Sequence, residues 1–352
     1  MNSKKHLIVT EYIKRKNKIF FSSESEQFLK FLNEFGGAYV LSPLKKTPPG
    51  VFIVIDSFSK QEKEIDILSD VKSVYMGLVG KSIEPLGIVN CMVDQMVDFC
   101  NFLEKIKPYE QQGLLIINPI NTIISNMSKE YILRLSQKTD LPFIPTRKIE
   151  SLDQLINLSK SKEKMFVKPL ISERAHGAFI VKGLSKQKLK NYRNKYLKDN
   201  KEAPTSLYEK IMLQQGLIAQ PFCDGFSDGE LKIGVIDRDI TLARRIIPVG
   251  KSEIVSVSCG AQRKPYFISN EEKELALRIY DVFNQLYPAS FMRIDLVNYN
   301  GSLKINEIEA INPSFSVRHK NLFSESLKNV HHSNLFSMLE RQYAKKEYGK
   351  II

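Results

Sequence analysis

The chain has 352 residues, 43% hydrophobic and 26% charged, with a formal net charge of +13. That length buries a large core and suggests two or three compact units, and the composition excludes an intrinsically disordered chain. No run of about 18 apolar residues occurs, which argues against a membrane-spanning helix.

The opening MNSKKHLIVTEYIKRKNKIFF has basic residues on both sides of a very short apolar stretch. Without an apolar signal core or a small-residue cleavage site it reads as a first strand, and the expectation is a cytoplasmic protein. Up to residue 117, short apolar runs alternate with helical stretches. Leu7–Thr10, Ala38–Leu41, Val51–Ile55 and Leu114–Ile117 read as buried strands. Ser25–Phe35 and Cys91–Lys107 carry apolar residues at helical spacing, such as Met92, Met96, Phe99 and Leu103. The alternation predicts an open α/β sheet over residues 1–117.

A second region is expected over 118–213. Asn118–Pro119 breaks the preceding strand, Lys129–Lys138 reads as a helix, and Pro142 and Pro145 mark an extended link. Ser151 caps a helix running to Leu158. Met165–Pro169 is a strand, then a polar loop, then a strand at Ala178–Lys182. A basic run follows from Lys182 to Lys201, with Tyr192 and Tyr196 four apart as on one helix face. It reads as a solvated helix with its tyrosines packed inward, and the chain carries no nucleic-acid-binding signature.

The third region, 214–352, holds the strands Leu217–Phe222, Glu230–Ile236 and Ile240–Ile247. The helix Glu271–Tyr287 then precedes the strand pair Phe291–Asn298 and Leu303–Ile308. Strands and helices mix here without strict alternation, which predicts α+β lobes facing one another. Pro221 suggests an edge or hinge position for its segment. The four cysteines, Cys91, Cys100, Cys223 and Cys259, form no CxxC pair and read as reduced packing thiols; His331–His332 reads as a surface pair.

Chemistry concentrates in MRIDLVNYNGSLKINEIEAINPSF, which holds Arg293, Asp295, Glu307, Glu309 and Asn312. Glu307 and Glu309 leave the same face of a strand, and the Asn300–Gly301 turn brings Asp295 towards them. Three carboxylates at one spot need a cation, and hard oxygen donors without histidine or thiolate favour magnesium. A two-residue loop alone would put Asp295 and Glu307 on opposite faces. A three-residue loop or a bulge would put Arg293, Asp295, Glu307 and Glu309 on one face, and that geometry is the expectation. Lys168 leaves a strand into the loop ISERAHGAFIV, where Ser172, His176 and the backbone around Gly177 offer donors to phosphate oxygens. The Walker spacing GxxxxGK[ST] is absent. Backbone groups near Gln220 and Phe222 can meet an adenine edge, and Glu230 can accept from ribose hydroxyls. Lys232, Arg244, Arg245 and Arg263 follow as cations.

In order and spacing these elements resemble the ATP-grasp superfamily, especially its glutathione synthetase-like branch, over roughly residues 118–315. The resemblance implies an ATP-grasp fold of α+β lobes behind an N-terminal open α/β domain. It implies ATP and Mg2+ as cofactors, with Lys129, Lys168, Ser172, His176, Gly177, Gln220, Phe222 and Glu230 at the nucleotide. Asp295, Glu307 and Glu309 would hold the metal. It further implies a carboxylate–amine ligase that forms an acyl phosphate and then an amide, with Arg244 or Arg245, preferentially Arg245, at the acyl phosphate and Lys232 where an arginine is common. Gly260 would lie where backbone approaches the intermediate, and Arg263 near an acidic substrate. The substrates are small-molecule or peptide carboxylates and amines, and ligases of this resemblance are often homo-oligomers. Ligation of a peptide or protein, and phosphorylation of a small-molecule hydroxyl, are the alternatives. The chain departs from the pattern in its glycine-poor phosphate loop and in Glu-Ile-Glu where Glu-Ile-Asn is usual.

Overall fold

The computed structural model describes residues 4–10, 12–15, 18–21, 23–43, 47–76, 90–172, 177–196, 204, 206–212, 216–249, 261–311, 313 and 325–348. The first part is a six-stranded sheet. Its strands are β1 (Lys5–Val9), β4 (Ala38–Leu41), β5 (Phe52–Asp56), β6 (Glu62–Ile65), β7 (Val71–Met76) and β8 (Leu115–Ile117). The hairpin β2 (Tyr12–Arg15) and β3 (Lys18–Phe21) stands apart from it. The helices of this part are α1 (Ser23–Asn33), the one-turn α2 (Ile67–Asp70) and α3 (Asn90–Gln111). Strand order is β6-β5-β4-β1-β7-β8, with β4, β1, β7 and β8 parallel, β5 antiparallel to β4, and β6 antiparallel to β5.

A parallel sheet covered on both faces needs apolar residues at consecutive strand positions, and Leu7, Ile8 and Val9 are all buried. Leu7 and Val9 pack against Phe99, Leu103 and Ile106 of α3. Ile8 and Val40 pack against Phe28, Leu29 and Leu32 of α1. The expected strands and both long helices are present. Two sheet strands escape a reading by apolar runs, because β6 reads EKEI and β7 has Lys72 and Ser73 inside it.

Helix α4 (Ile120–Asn126) and helix α5 (Glu130–Lys138) lead into a four-stranded sheet made of β9 (Arg147–Ile149), β10 (Met165–Pro169), β11 (Phe179–Ile180) and β12 (Leu217–Pro221). Helices α6 (Leu152–Lys160), α7 (Lys186–Tyr196) and α8 (Leu207–Met212) interrupt it. Ser151 caps α6, its hydroxyl accepting from the Gln154 N–H. Tyr192 stacks on Phe179 at 3.8 Å, so that tyrosine of the basic helix does turn inward; the Tyr196 side chain lies outside the described residues. Strand β12 corrects two expectations. It pairs with β10 and β9, so it belongs to this sheet and not to the following lobe, and it is an inner strand. Pro221 is tolerated because β9 reaches only as far as Ala219, so the proline has a paired neighbour on one side alone.

The last part is a five-stranded antiparallel sheet ordered β15-β14-β13-β16-β17, from β13 (Glu230–Ile236), β14 (Asp239–Ile247), β15 (Gln262–Pro265), β16 (Phe291–Tyr299) and β17 (Ser302–Glu309). Helix α9 (Asn270–Leu286) begins with a Ser269–Glu272 capping box. Ala276, Ile279 and Phe283 of α9 pack on Ile233, Val235 and Ile294, filling one face of this sheet together with Tyr131 and Ile132 of α5.

Helix α10 (Glu325–Tyr348) returns to brace the molecule. Leu335, Met338 and Leu339 share a core with Ile8 and Tyr75 on one side and with Leu242 and Phe291 on the other. Glu340 Oε1 accepts from Lys72 Nζ (3.0 Å) and meets His6 Nε2 (2.8 Å), while Arg341 Nε donates to Asp237 (2.9 Å). His331 and His332 are buried here, contrary to the expected surface pair. His331 meets Thr241 Oγ1, and burial, aided by His332 and Arg244, pushes its pKa down to about 3, so it packs as a neutral ring. Cys100 and Cys223 are buried packing residues, as expected; the Cys91 side chain and Cys259 lie outside the described residues. No helix among the described residues is long and apolar enough to cross a membrane.

Asn118, read as a strand breaker, is a junction. Its buried amide donates to Phe291 O (2.9 Å) and Ala310 O (2.7 Å) and accepts from the N–H groups of Ser290 (2.7 Å) and Phe291 (3.3 Å). Asn118→Ala leaves these backbone groups without that partner, and each orphaned buried group costs about 1–3 kcal/mol. The expected loss is roughly 2–4 kcal/mol, read as a lower urea midpoint at unchanged slope.

Candidate active-site cleft

The hairpin β16–β17 carries the acidic residues, and its register decides where they point. Asn300 and Gly301 both have positive φ (52° and 77°), the pattern of a type I′ two-residue turn. Pairing runs from Tyr299↔Ser302 to Leu296↔Ile305 and then shifts, so that Asp295 faces Glu307 and Arg293 faces Glu309. Asn306 is therefore the extra residue of a β-bulge. A tight turn followed by a bulge is one of the two arrangements the sequence allowed, and it puts Arg293, Asp295, Glu307 and Glu309 on one face.

Strands β13 and β14 extend that face. Lys232 pairs with Asp295 on one side and with Arg244 on the other, and Glu230 pairs with Ile246, which faces Arg263 of β15. Arg244, not Arg245, thus shares the carboxylate face. Arg245 lies opposite Leu231, with its guanidinium 4.4 Å from the Tyr266 ring centre and its Nη1 donating to Asp228 O (3.4 Å). This reverses the preference for Arg245, because alternation along a strand lets only one of two adjacent residues face the cleft.

The central sheet supplies the opposite wall. Lys168, at the end of β10, is buried and donates to Asn306 Oδ1 (2.6 Å); Asn306 Nδ2 donates to Glu230 Oε1 (2.5 Å). Lys232 Nζ bridges Glu230 Oε2 (2.7 Å) and the Asp295 carboxylate. Arg293 donates through Nε to Asp295 Oδ1 (2.7 Å) and through Nη2 to Asp295 Oδ2 (3.0 Å) and Glu309 Oε2 (2.6 Å). Lys129, at the start of α5, pairs with Glu307 (3.2 Å) and donates to Ser172 O (2.6 Å). Tyr131 OH accepts the Ile308 N–H (2.7 Å), holding the strand between the two glutamates.

Gln220 is buried and donates to Thr146 Oγ1 (2.9 Å). The Phe222 N–H donates to Lys164 O (2.8 Å), and the Lys164 ammonium sits 3.9 Å from the centre of its ring. Gly177 closes the loop after Lys168 with φ of 73°, a conformation that favours glycine. His176, Gly260 and Asn312 lie outside the described residues. Asn306 is the site residue that sequence reasoning missed. Its signal was the bulge, since an inserted residue disturbs alternation and can bring an apparently outward side chain into the cleft.

Burial alone would raise the Asp295 pKa, but the Arg293 and Lys232 charges overcome it and hold the carboxyl well below the usual carboxylate range. Burial likewise acts to raise Glu307, and Lys129, Lys168 and Lys232 together outweigh it and lower its pKa. Burial lowers Lys168 to about 8, against the pull of Glu307 and Glu230. The carboxylates are thus matched by cations. Among the described residues no group of three His, Cys, Asp or Glu side chains gathers as around a metal ion. The donors on this face are hard carboxylate oxygens, which suit magnesium and not a soft metal.

Arg293→Met removes one of the two cations that compensate a buried carboxylate and is expected to cost roughly 2–4 kcal/mol. Arg293→Met with Asp295→Leu should lose less than the single variant, a non-additivity that urea denaturation of the four proteins in the cycle measures. Because the folded-state pKa of Asp295 is depressed, its stabilisation is complete above the unfolded value near about 4 and fades as pH falls towards the folded one. Wild type should therefore lose more stability than Asp295→Asn between about pH 5 and pH 2.

No protein-family model and no curated protein matches the sequence. Solved structures do match in shape. The D-cycloserine synthetase DcsG is 14% identical, with a TM-score of 0.61 over 96% of this chain and 99% of that one. D-alanyl-alanine synthetase A from Vibrio cholerae is 12% identical, with a TM-score of 0.58 over 98% and 100%. The ATP-grasp ligase PsnB, complexed with minimal precursor, Mg and ADP, is 12% identical, with a TM-score of 0.56 over 95% and 98%. At these identities the likeness is one of architecture: this chain has the ATP-grasp fold.

Proposed function

We propose that the chain is an ATP-dependent, ADP-forming carboxylate–amine ligase. One observation carries the reading. Four carboxylates (Glu230, Asp295, Glu307, Glu309) and the cations Lys232, Arg244 and Arg293 share one sheet face, and Lys129 and Lys168 reach it from α5 and the neighbouring sheet. Such a set suits a polyphosphate between two lobes, because transfer of a phosphoryl group needs positioning and charge neutralisation more than covalent chemistry.

In this reading Lys129 and Lys168 grip the phosphates, with Ser172, His176 and the backbone at Gly177 over them. The backbone around Gln220 and Phe222 meets the adenine edge, and Glu230 accepts from the ribose. Asp295, Glu307 and Glu309, which here pair with Lys129, Lys232 and Arg293, would exchange some of those partners to hold magnesium, and the ion would spread the negative charge of the phosphate oxygens. A substrate carboxylate oxygen attacks the γ-phosphorus, the bond to the β-phosphate oxygen breaks, and ADP leaves. The amine then attacks the acyl carbon, phosphate departs and the amine loses a proton. Arg244 is turned to the acyl phosphate, Lys232 holds the neighbouring carboxylates, and neutral His331 beside Arg244 adds no charge. The fold's solved neighbours include proteins acting on small molecules, as their names state, and support this class of reaction.

A second reading, ligation of a peptide or protein substrate, is favoured by the surface charge. Lys182, Lys186, Lys188 and Lys190 are all exposed along α7 and the turn before it. PsnB with its minimal precursor and the macrocyclase MdnC with its precursor peptide are neighbours of the same fold. Salt-sensitive binding of an acidic peptide, lost on reversing Lys186, Lys188 and Lys190 to Glu, would favour it; unaltered binding would count against it.

Calorimetry with a non-hydrolysable ATP analogue tests the nucleotide site. Magnesium-dependent binding is expected, weakened at least tenfold by Lys168→Ala, about 1.4 kcal/mol. Absence of binding to well-folded wild type would sink the reading. With a substrate pair in hand, kcat/KM for ATP should fall above pH about 8, as the Lys168 ammonium, lowered to about 8, loses its proton.

A further inference from the structure

Lys168 and Glu230 stand on two different sheets and carry opposite charges, yet they do not pair. The Asn306 amide lies between them, its carbonyl oxygen 2.6 Å from the Lys168 ammonium and its NH2 group 2.5 Å from Glu230 Oε1. An amide is suited to this place because it presents an acceptor to a cation and a donor to an anion while carrying no charge. Among the described residues the ammonium has Asn306 as its hydrogen-bond acceptor. An ammonium has three donors, so further N–H groups are left for a ligand. Asn306, Lys168 and Glu230 are all buried, so a direct Lys168–Glu230 contact would be a strong, weakly screened ion pair.

We infer that Asn306 is a positioning residue that keeps Lys168 apart from Glu230, whose other oxygen pairs with Lys232 (2.7 Å), so that a triphosphate meets a lysine charge that no carboxylate neutralises by direct contact. This rests on the nucleotide site proposed above and adds a residue to it. The bulge makes the arrangement possible. Asn306 is the residue inserted between the pairs Leu296↔Ile305 and Asp295↔Glu307, so its side chain reaches the carboxylate face beside Glu307. An apolar residue at 306 would leave the lysine and the glutamate to collapse onto one another. An aspartate there would neutralise the lysine itself.

The test uses the full chain and inorganic tripolyphosphate with magnesium, a probe that lacks ribose and so reports the phosphate side alone. Calorimetry should show Asn306→Leu binding it at least tenfold more weakly than wild type. The double variant Asn306→Leu, Glu230→Gln should return to within about threefold of wild type, since the carboxylate that captures Lys168 is gone. Asn306→Asp should also bind weakly. A purely structural role would not be rescued by a second substitution, and urea denaturation checks that each variant is folded. Tripolyphosphate bound equally by folded Asn306→Leu and wild type would overturn the inference while leaving the nucleotide site standing. Weak binding without rescue by Glu230→Gln would overturn it as well. Wild type that binds neither tripolyphosphate nor the ATP analogue would remove the nucleotide site and this inference with it.

Discussion

One inserted residue in β17 orients the whole cleft. A strand alternates its side chains, so a tight turn at Asn300–Gly301 alone would send Asp295 and Glu307 to opposite faces. The two-for-one pairing around Asn306 restores the phase and leaves Ile305 and Ile308 in the core under α9 while the glutamates face outward. Core and site therefore depend on the same register. The apolar face fixes which phase is stable, and the bulge reconciles that phase with the carboxylates.

Once the carboxylates are together, electrostatics governs the rest. Like charges in a poorly solvated cleft repel strongly, and the chain answers with Lys129, Lys232 and Arg293. Arg293 serves Asp295 and Glu309 at once, a use suited to its planar fork. Because Lys129 of α5 pairs with Glu307 and Lys168 of the central sheet donates to the Asn306 amide, one ion pair and one hydrogen bond tie α5 and the central sheet to the last sheet. Ligand binding would have to exchange these contacts for others of similar strength, so the contacts that hold the cleft also set the cost of entering it.

The framework around the cleft is built by parts distant in sequence. Helix α10 closes the core between the N-terminal sheet and the last one, and Asn118 joins the end of β8 to the start of β16 and the end of β17. Helix α8 reaches back to α3, where the Leu207 N–H donates to Glu104. These contacts explain why residues that look unremarkable locally, such as His331, His332 and Asn118, are buried.

What the sequence by itself determined was everything carried by local pattern. The main apolar strands, the long helices Ser23–Asn33, Asn90–Gln111 and Asn270–Leu286, the cap at Ser151, the Asn300–Gly301 turn and the acidic strand pair follow from period, propensity and turn chemistry. Such signals act over a few residues, so they are legible one segment at a time. Only the tertiary structure decided that Arg244 and not Arg245 shares the carboxylate face, that β12 is an inner strand, and that His331 and His332 are buried. It also decided that the Asn306 amide lies between Lys168 and Glu230. Each of these depends on which strand pairs with which, or on what packs over a face, and that is settled by the burial of apolar area from the whole chain and not by the segment's own neighbours.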